Sequence, residues 1–546
     1  MPKKKTPYQV AGQPVLPVTS HDDQPDINFE DELWEAAVQM RGAVAPADYK
    51  HYVLPLIFLR YLSLQYEKRY QDLERMFHDE KSEYFTVDPE IMADVLNDPD
   101  EYRKQNIFIL PEECRWEYMV RHAQDDDIKL KLDLAMEKLE EAYPDLRGIL
   151  PKIYGGSNLP TEAVTGLINL FSRELFSQQL TDNHSQNGKN ADFLGRVYEY
   201  FITNFASTEG TRGGEFFTPR TIVRLLVEMM EPKDGKVFDP ACGSGGMFVQ
   251  SAAFTHNTGN LSFFGQESVD TTLRLCKMNL LLHGLNGNIK LGNSLLNDLH
   301  TDLQANFVIA NPPFNLRDWG AEKISMNDKR LFIGKRQCMP TNSNANYFWM
   351  MHFLYHLEEG GTAGFVMANG SMTTSIKEER ETRIALIEEG FVDCVVQLAD
   401  RLFMGAGIPV CLWFFSKNRE GINGYRKRSE EILFIDARKK GEMVNRRLRV
   451  LSAADIADIS SMYHTFRNPD GQVMEVPGFC KVVTLEEIRS SDYKMTPGIY
   501  VGSEAAEIDE TPFEEKMEAM KSELLQLFEI SNGLQKKIIQ NLDELS

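Results

Sequence analysis

The sequence is poor in the features that mark secreted, metal-stapled or membrane proteins. Seven cysteines are scattered over 546 residues without a CxxC pair, which excludes a disulfide framework or a zinc knuckle and fits reduced thiols. No apolar run approaches the ~20 residues that a bilayer demands; the most apolar short stretch, 53–62, is broken by Pro55 and Arg60. Lys3, Lys4 and Lys5 lead into polar residues rather than an apolar run, so no secretory signal is expected and the chain is expected to work in the cytoplasm. Positive charge is also scarce. A formal net charge of -22 predicts a weak grip on nucleic acid by this chain alone, because phosphate neutralisation supplies most non-specific affinity. Two local exceptions are candidate phosphate-facing strips: 323–336, with five basic residues against one acidic, and 426–449, with nine against four.

What is present is ample apolar material, 42% of residues, in a chain too long for one core and suited to about three folding units. Residues 1–27, rich in Pro, Gln, Asp and Lys without periodicity, read as a leader. Residues 28–190 carry helical spacing, as in Leu33, Ala36, Ala37 and Met40, and predict an all-α domain. From 191 to 480, short and almost wholly apolar runs alternate with helical segments. Seven strands are expected, at 236–239, 262–266, 289–291, 307–310, 362–367, 393–398 and 410–415, with 431–436 as an added one. Strands of this kind predict an α/β fold with a doubly wound, mostly parallel sheet. Residues 481–546 are expected to be a C-terminal helical region, since Phe513, Met517, Met520, Leu524 and Leu527 continue a stripe that needs a covering surface.

Chemistry concentrates at two places. The first runs Asp239, Pro240, Ala241, Cys242, Gly243, Ser244, Gly245, Gly246 from a strand into a helix. At the carboxyl edge of a doubly wound sheet such a turn lets backbone approach a ligand. A dinucleotide fingerprint would place a third glycine where Phe248 stands, and a P-loop would need a lysine after the glycines. A nucleoside-like ligand without a pyrophosphate remains. Glu267, ending the next strand, suits the two hydroxyls of a ribose.

The second is Asn311, Pro312, Pro313, Phe314, directly after the fourth strand. Paired prolines fix φ and remove two donors, leaving a stiff corner rich in acceptors. Such a corner suits an exocyclic amine such as adenine N6. The Asn311 oxygen and the Pro312 carbonyl would accept its two N–H bonds, favouring a lone pair aimed at a sulfonium methyl, with positioning rather than a strong base driving transfer. Phe314 would stack on a base rotated out of the duplex.

These segments resemble motifs I and IV of the DNA amino-methyltransferases. Gly214, Glu215, Phe216, Phe217, Thr218, Pro219 and Arg220 are similar to that family's motif X, and the order X, I, IV is that of its gamma group. Residues 33–37 and 49–62 look like the amino-terminal domain of the modification (M) subunits of type I restriction-modification systems. The resemblance implies a Rossmann-like methyltransferase domain using S-adenosyl-L-methionine. It implies cofactor contacts from Glu215, Phe216, Phe217, Thr218, Pro219 and Arg220, from Asp239, Gly243, Ser244, Gly245 and Gly246, and from Glu267. Asn293 stands where relatives often carry an acid near the cofactor adenine. The catalytic residues implied are Asn311, Pro312, Pro313 and Phe314, with no metal. Asn before the two prolines looks more like adenine-N6 than cytosine-N4 enzymes. Other readings of the same corner are a protein glutamine methyltransferase and a non-catalytic assembly subunit that binds the cofactor. The family also implies partners: double-stranded DNA, a specificity (S) subunit that reads the bases, a second M subunit and restriction (R) subunits. The C-terminal helix is the candidate for docking S.

Overall fold

The computed structural model describes residues 30–45, 48–105, 107–176, 197–202, 218–255, 260–403, 409–421, 424–444 and 448–503, with separate positions between 517 and 535. The leader 1–27 and the segment Glu215 to Phe217 lie outside these residues.

The helical region is built on α1 (Glu30–Met40), α2 (Tyr49–Phe77), α3 (Ile128–Ala142) and α4 (Thr161–Phe171). Its apolar positions recur at threes and fours, so Val53, Leu56, Ile57 and Leu64 of α2 share one core with Leu132 and Leu139 of α3 and Leu167 of α4. That core also takes in Leu275, Met278 and Leu282 of α7 (Asp270–Leu282). The helices therefore pack directly against the next layer.

Nine strands form that layer: β1 (Gly235–Asp239), β2 (Leu261–Glu267), β3 (Gly287–Leu291), β4 (Ala305–Ala310), β5 (Leu357–Ala368), β6 (Val392–Leu398), β7 (Val410–Ser416), β8 (Glu431–Ala437) and β9 (Cys480–Thr484). Their order is β9-β8-β6-β7-β5-β4-β1-β2-β3. β1 runs parallel to both β2 and β4, with Val237 level with Phe263 on one side and Phe307 on the other. β7 is antiparallel to β5 and to β6. Every residue of β6 and β7 is buried, as a sheet covered on both faces requires. α5 (Arg220–Met230), α6 (Gly246–Phe254), α7, α8 (Asn346–His356) and α9 (Ala453–Arg467) supply the cover. All eight strands read from the sequence are present.

One expectation is corrected. The sheet does not end at 480: β9 pairs antiparallel with β8, the Met495 N–H donates to the Met372 carbonyl at 2.9 Å, and the compact unit extends to Val501, with Gly502–Ser546 forming a second unit. An edge strand with only Cys480 and Val483 buried leaves a weak pattern in sequence. In the basic stretch 426–449 several charges are engaged within the chain, while Lys427, Arg438 and Lys439 are exposed. Arg428 grips Asp393 at 2.8 and 2.9 Å, Arg426 pairs with Glu431 at 2.6 Å, and Arg438 pairs with Asp436 at 2.6 Å. In 323–336, Arg330 is likewise buried against Asp328, while Lys323, Lys329 and Lys335 are exposed. No helix among the described residues is long and apolar enough to cross a membrane.

Candidate active site

β1 and β4 are parallel neighbours, so Asp239 and Ala310 end on one edge. Here the chain stops building toward β3 and starts building toward β5, the switch point at which doubly wound sheets bind ligands. Leaving β1, the backbone turns left-handed at Gly243 (φ 54) and Gly245 (φ 83). A Cβ on Gly245 would meet Cys276 Sγ at 2.8 Å, whereas one on Gly243 would meet nothing within 4 Å. Glycine at 245 is thus fixed by packing as well as by φ, and at 243 by φ. The bend is latched to β2: Glu267 Oε2 accepts the Gly243 N–H at 3.0 Å and Oε1 accepts the Val269 N–H at 2.9 Å. Beneath it Asp239 is buried and accepts the Ala241 N–H at 3.0 Å. Burial pushes its carboxyl up to about 8; the Ala241 N–H opposes this and the charge of Glu267 adds to it.

Leaving β4, Asn311 to Phe314 form the opposite wall. The Asn311 amide donates from Nδ2 to Thr218 Oγ1 at 2.7 Å, and its buried Oδ1 has no partner. Asn315 follows in the left-handed region (φ 55) and is tied to the start of α8 by reciprocal amide bonds: its N–H donates to Asn346 Oδ1 at 2.9 Å and its Oδ1 accepts from Asn346 Nδ2 at 3.0 Å. Both turns open onto one cavity of about 760 Å³ of atom-free space, including its open mouth. Pro240, Ala241, Gly243 and Glu267 line one side and Asn311, Pro312, Pro313 and Phe314 the other.

Comparison with known proteins decides what kind of enzyme presents this cavity. Residues 189–509 match N-6 DNA Methylase and residues 29–171 match the HsdM N-terminal domain. The chain is 38% identical to the type I restriction enzyme MjaIX methylase subunit of Methanocaldococcus jannaschii, covering 95% of this chain and 91% of that one. The chain belongs to the N-6 DNA methylase family, among the methylase subunits of type I restriction enzymes. It is also 39% identical to the HindI methylase subunit of Haemophilus influenzae, over 76% of this chain and 92% of the relative. A type I restriction-modification methyltransferase subunit from Streptococcus thermophilus shares the fold, with a TM-score of 0.69 at 23% identity over 85% of this chain and 97% of that one. The family is one of S-adenosylmethionine-dependent methyltransferases.

In this methylase subunit the residues expected from sequence fall into three groups. Gly243, Glu267 and Asn293 line the cavity together with all four of Asn311 to Phe314. Others support it from outside: Thr218 orients Asn311, Asp239 lies under the bend, Ser244 gives its carbonyl to Asn279 Nδ2 at 2.9 Å, and Gly245 and Gly246 open α6. Pro219 and Arg220 begin α5 and do not line the cavity. Asn293 caps its own turn, its Oδ1 accepting the N–H groups of Leu295 at 3.0 Å and Leu296 at 3.3 Å; an asparagine serves this as well as an acid does. Sequence reasoning missed Ser268, Thr272, Leu316 and Trp349 in the lining. Ser268 was signalled by its place after Glu267; nothing marked Trp349.

A buried polar strut stands behind the wall that carries Ser294. Ser294 Oγ donates to the Pro240 carbonyl at 2.6 Å, and Arg330 donates to the Ser294 carbonyl at 2.9 Å while lying 3.3 Å from His352 Nδ1. Asp298, His352 and His356 bring candidate ligand atoms within 4.8 Å of one another. His356, however, faces an acceptor at each ring nitrogen, the Leu303 carbonyl and Asp298 Oδ2, both at 2.9 Å. The Arg330 guanidinium also supplies positive charge beside His352. The cluster ties α8 to the segment 293–303. Burial alone would raise Asp298, but the hydrogen bond and charge of His356 outweigh it and hold the carboxyl well below its usual range. Burial, with the charges of His356 and Arg330, holds His352 far below the usual imidazole range.

Proposed function

We propose that this methylase subunit transfers the methyl group of S-adenosylmethionine to N6 of an adenine rotated out of DNA, within a type I restriction-modification complex whose specificity subunit reads the sequence. The observation that carries the reading is the shared cavity: a latched glycine bend and a rigid proline corner line it together, and an acceptor oxygen in that corner, Asn311 Oδ1, lacks a partner.

The residues fit the cofactor. The Glu267 carboxylate ends β2 accepting from Gly243, Val269 and the Ser268 hydroxyl, which leaves about one of its four lone-pair sites for a ribose hydroxyl. Gly243 carries no side chain on the cavity lining. When bound, S-adenosylmethionine supplies a sulfonium methyl open to in-line displacement. The chain's own part is orientation. Thr218 takes the donor end of the Asn311 amide, which fixes its oxygen as an acceptor. That oxygen and the Pro312 carbonyl hold the two protons of the amine so that its lone pair leaves the ring plane, and Phe314 provides a face for the base.

The partners proposed are double-stranded DNA, one specificity subunit, a second M subunit and restriction subunits. A net charge of -22 accords with base reading and much of the phosphate grip residing in another chain. The test is Asn311→Ala in a strain carrying the specificity subunit, with sequencing that detects N6-methyladenine and N4-methylcytosine. Methylation is expected to fall by about 10²–10³-fold, as when one preorganised hydrogen-bonding group is lost, while S-adenosylmethionine binding persists. A fully active variant would refute the catalytic assignment, and N4-methylcytosine in the wild-type strain would change the base.

A further inference from the structure

Among the described residues, two that line the cavity carry a buried side-chain polar atom without a partner: Asn311, through the acceptor Oδ1, and Trp349, through the donor Nε1. Three other side-chain donors lining the cavity have acceptors. Ser294 gives its hydroxyl to Pro240, Ser268 gives its hydroxyl to Glu267, and Asn311 gives its amide hydrogen to Thr218. Trp349 is 5% exposed and sits one turn past Asn346, the residue that clamps the catalytic corner. Its ring is held within α8, stacked on Phe353 with centroids 6.0 Å apart and edge-on to His352. A buried indole normally finds an acceptor for its N–H.

We infer that Trp349 is a specificity-determining residue whose indole N–H donates to a ring nitrogen of a purine bound in the cavity. The inference rests on the methyltransferase reading above. A buried free side-chain acceptor and a buried free side-chain donor match the edge of adenine, which presents an amine N–H beside an accepting ring nitrogen. That chemistry has two sources here, the target base and the adenine of the cofactor, and replacing the ring nitrogen by CH in each distinguishes them.

The cofactor arm measures binding of S-adenosylhomocysteine and its 1-deaza, 3-deaza and 7-deaza forms to the full chain. The DNA arm measures methylation, by the complex with the specificity subunit, of targets carrying 1-deazaadenine or 7-deazaadenine. Both are run on wild type and Trp349→Phe. In one arm a single deaza form is expected to lose about tenfold with wild type, the worth of one net hydrogen bond, and nothing further with Trp349→Phe, the non-additivity expected of a direct contact. Equal losses in both proteins in both arms would overturn the proposal. Should Trp349→Phe fail to fold, the indole proton of Trp349 in the wild-type chain is followed by NMR. A downfield shift on adding S-adenosylhomocysteine or target DNA supports the bond, and an unmoved resonance sinks it. Wild type that binds no S-adenosylhomocysteine at all would instead refute the underlying reading of the site, and the proposal with it.

Discussion

Asp239 shows how one residue links the glycine bend to stability. Its carboxyl titrates near 8 in the fold, against an ordinary value of 3.8. As the pH rises from the ordinary range toward 8, the unfolded chain loses this proton while the fold keeps it, so Asp239 destabilises progressively across that window; above it both states are ionised. Asp239→Asn should therefore melt higher than wild type near pH 8, with a gap that shrinks toward pH 5, as followed by thermal unfolding. A constant gap would mean that burial does not govern this group. At Gly245, φ 83 and the 2.8 Å approach to Cys276 Sγ leave no room for a side chain. Gly245→Ala is predicted to lower stability by about 1–3 kcal/mol and to weaken cofactor binding, both measurable by calorimetry.

Elements are held in place by specific contacts, two of which make the point. The Asn315–Asn346 amide pair fastens the proline corner to α8. Asn346→Ala should cut kcat by about 10- to 100-fold by misplacing that corner while the cofactor Kd stays unchanged; an equal loss in Kd would assign Asn346 to the cofactor instead. Across the sheet, Asp393 at the start of β6 joins Arg428, Arg419 at 3.2 Å and the Tyr463 hydroxyl at 2.8 Å. Burial tends to raise its carboxyl, but the two guanidinium charges prevail and lower it. Asp393→Ala strands two buried cations and is expected to lower stability in denaturant unfolding by about 3–5 kcal/mol. At this scale the strands were legible because nearly continuous apolar runs distinguish them from the helices between. β9 was not, since only two of its residues are buried. The clamp was also hidden: its partners lie 31 residues apart, and α8 is buried nearly all round, so no amphipathic stripe singled out Trp349.

At the scale of the whole molecule, the acidic balance and the unit beyond Val501 point outward. Leu524, Leu525, Phe528 and Leu534 in that unit are each more than half exposed, the property expected of a helix that finds its cover on a partner. Deleting 511–546 should leave S-adenosylmethionine binding intact and abolish co-purification with the specificity subunit; normal co-purification would refute this docking role. On the proposed reading the base sequence recognised was never legible here, because its readers would lie in another chain. The two halves of the site were legible separately, as a glycine bend with an acid and as a proline corner, and the parallel pairing of β1 with β4 is what brings them together. A crystal structure with S-adenosylmethionine bound tests that union most directly. The account predicts the nucleoside between Gly243 and Glu267, with the sulfonium methyl facing the Asn311 side-chain oxygen across an open gap wide enough for a base. A cofactor seated elsewhere, or a methyl turned away from Asn311, would contradict it.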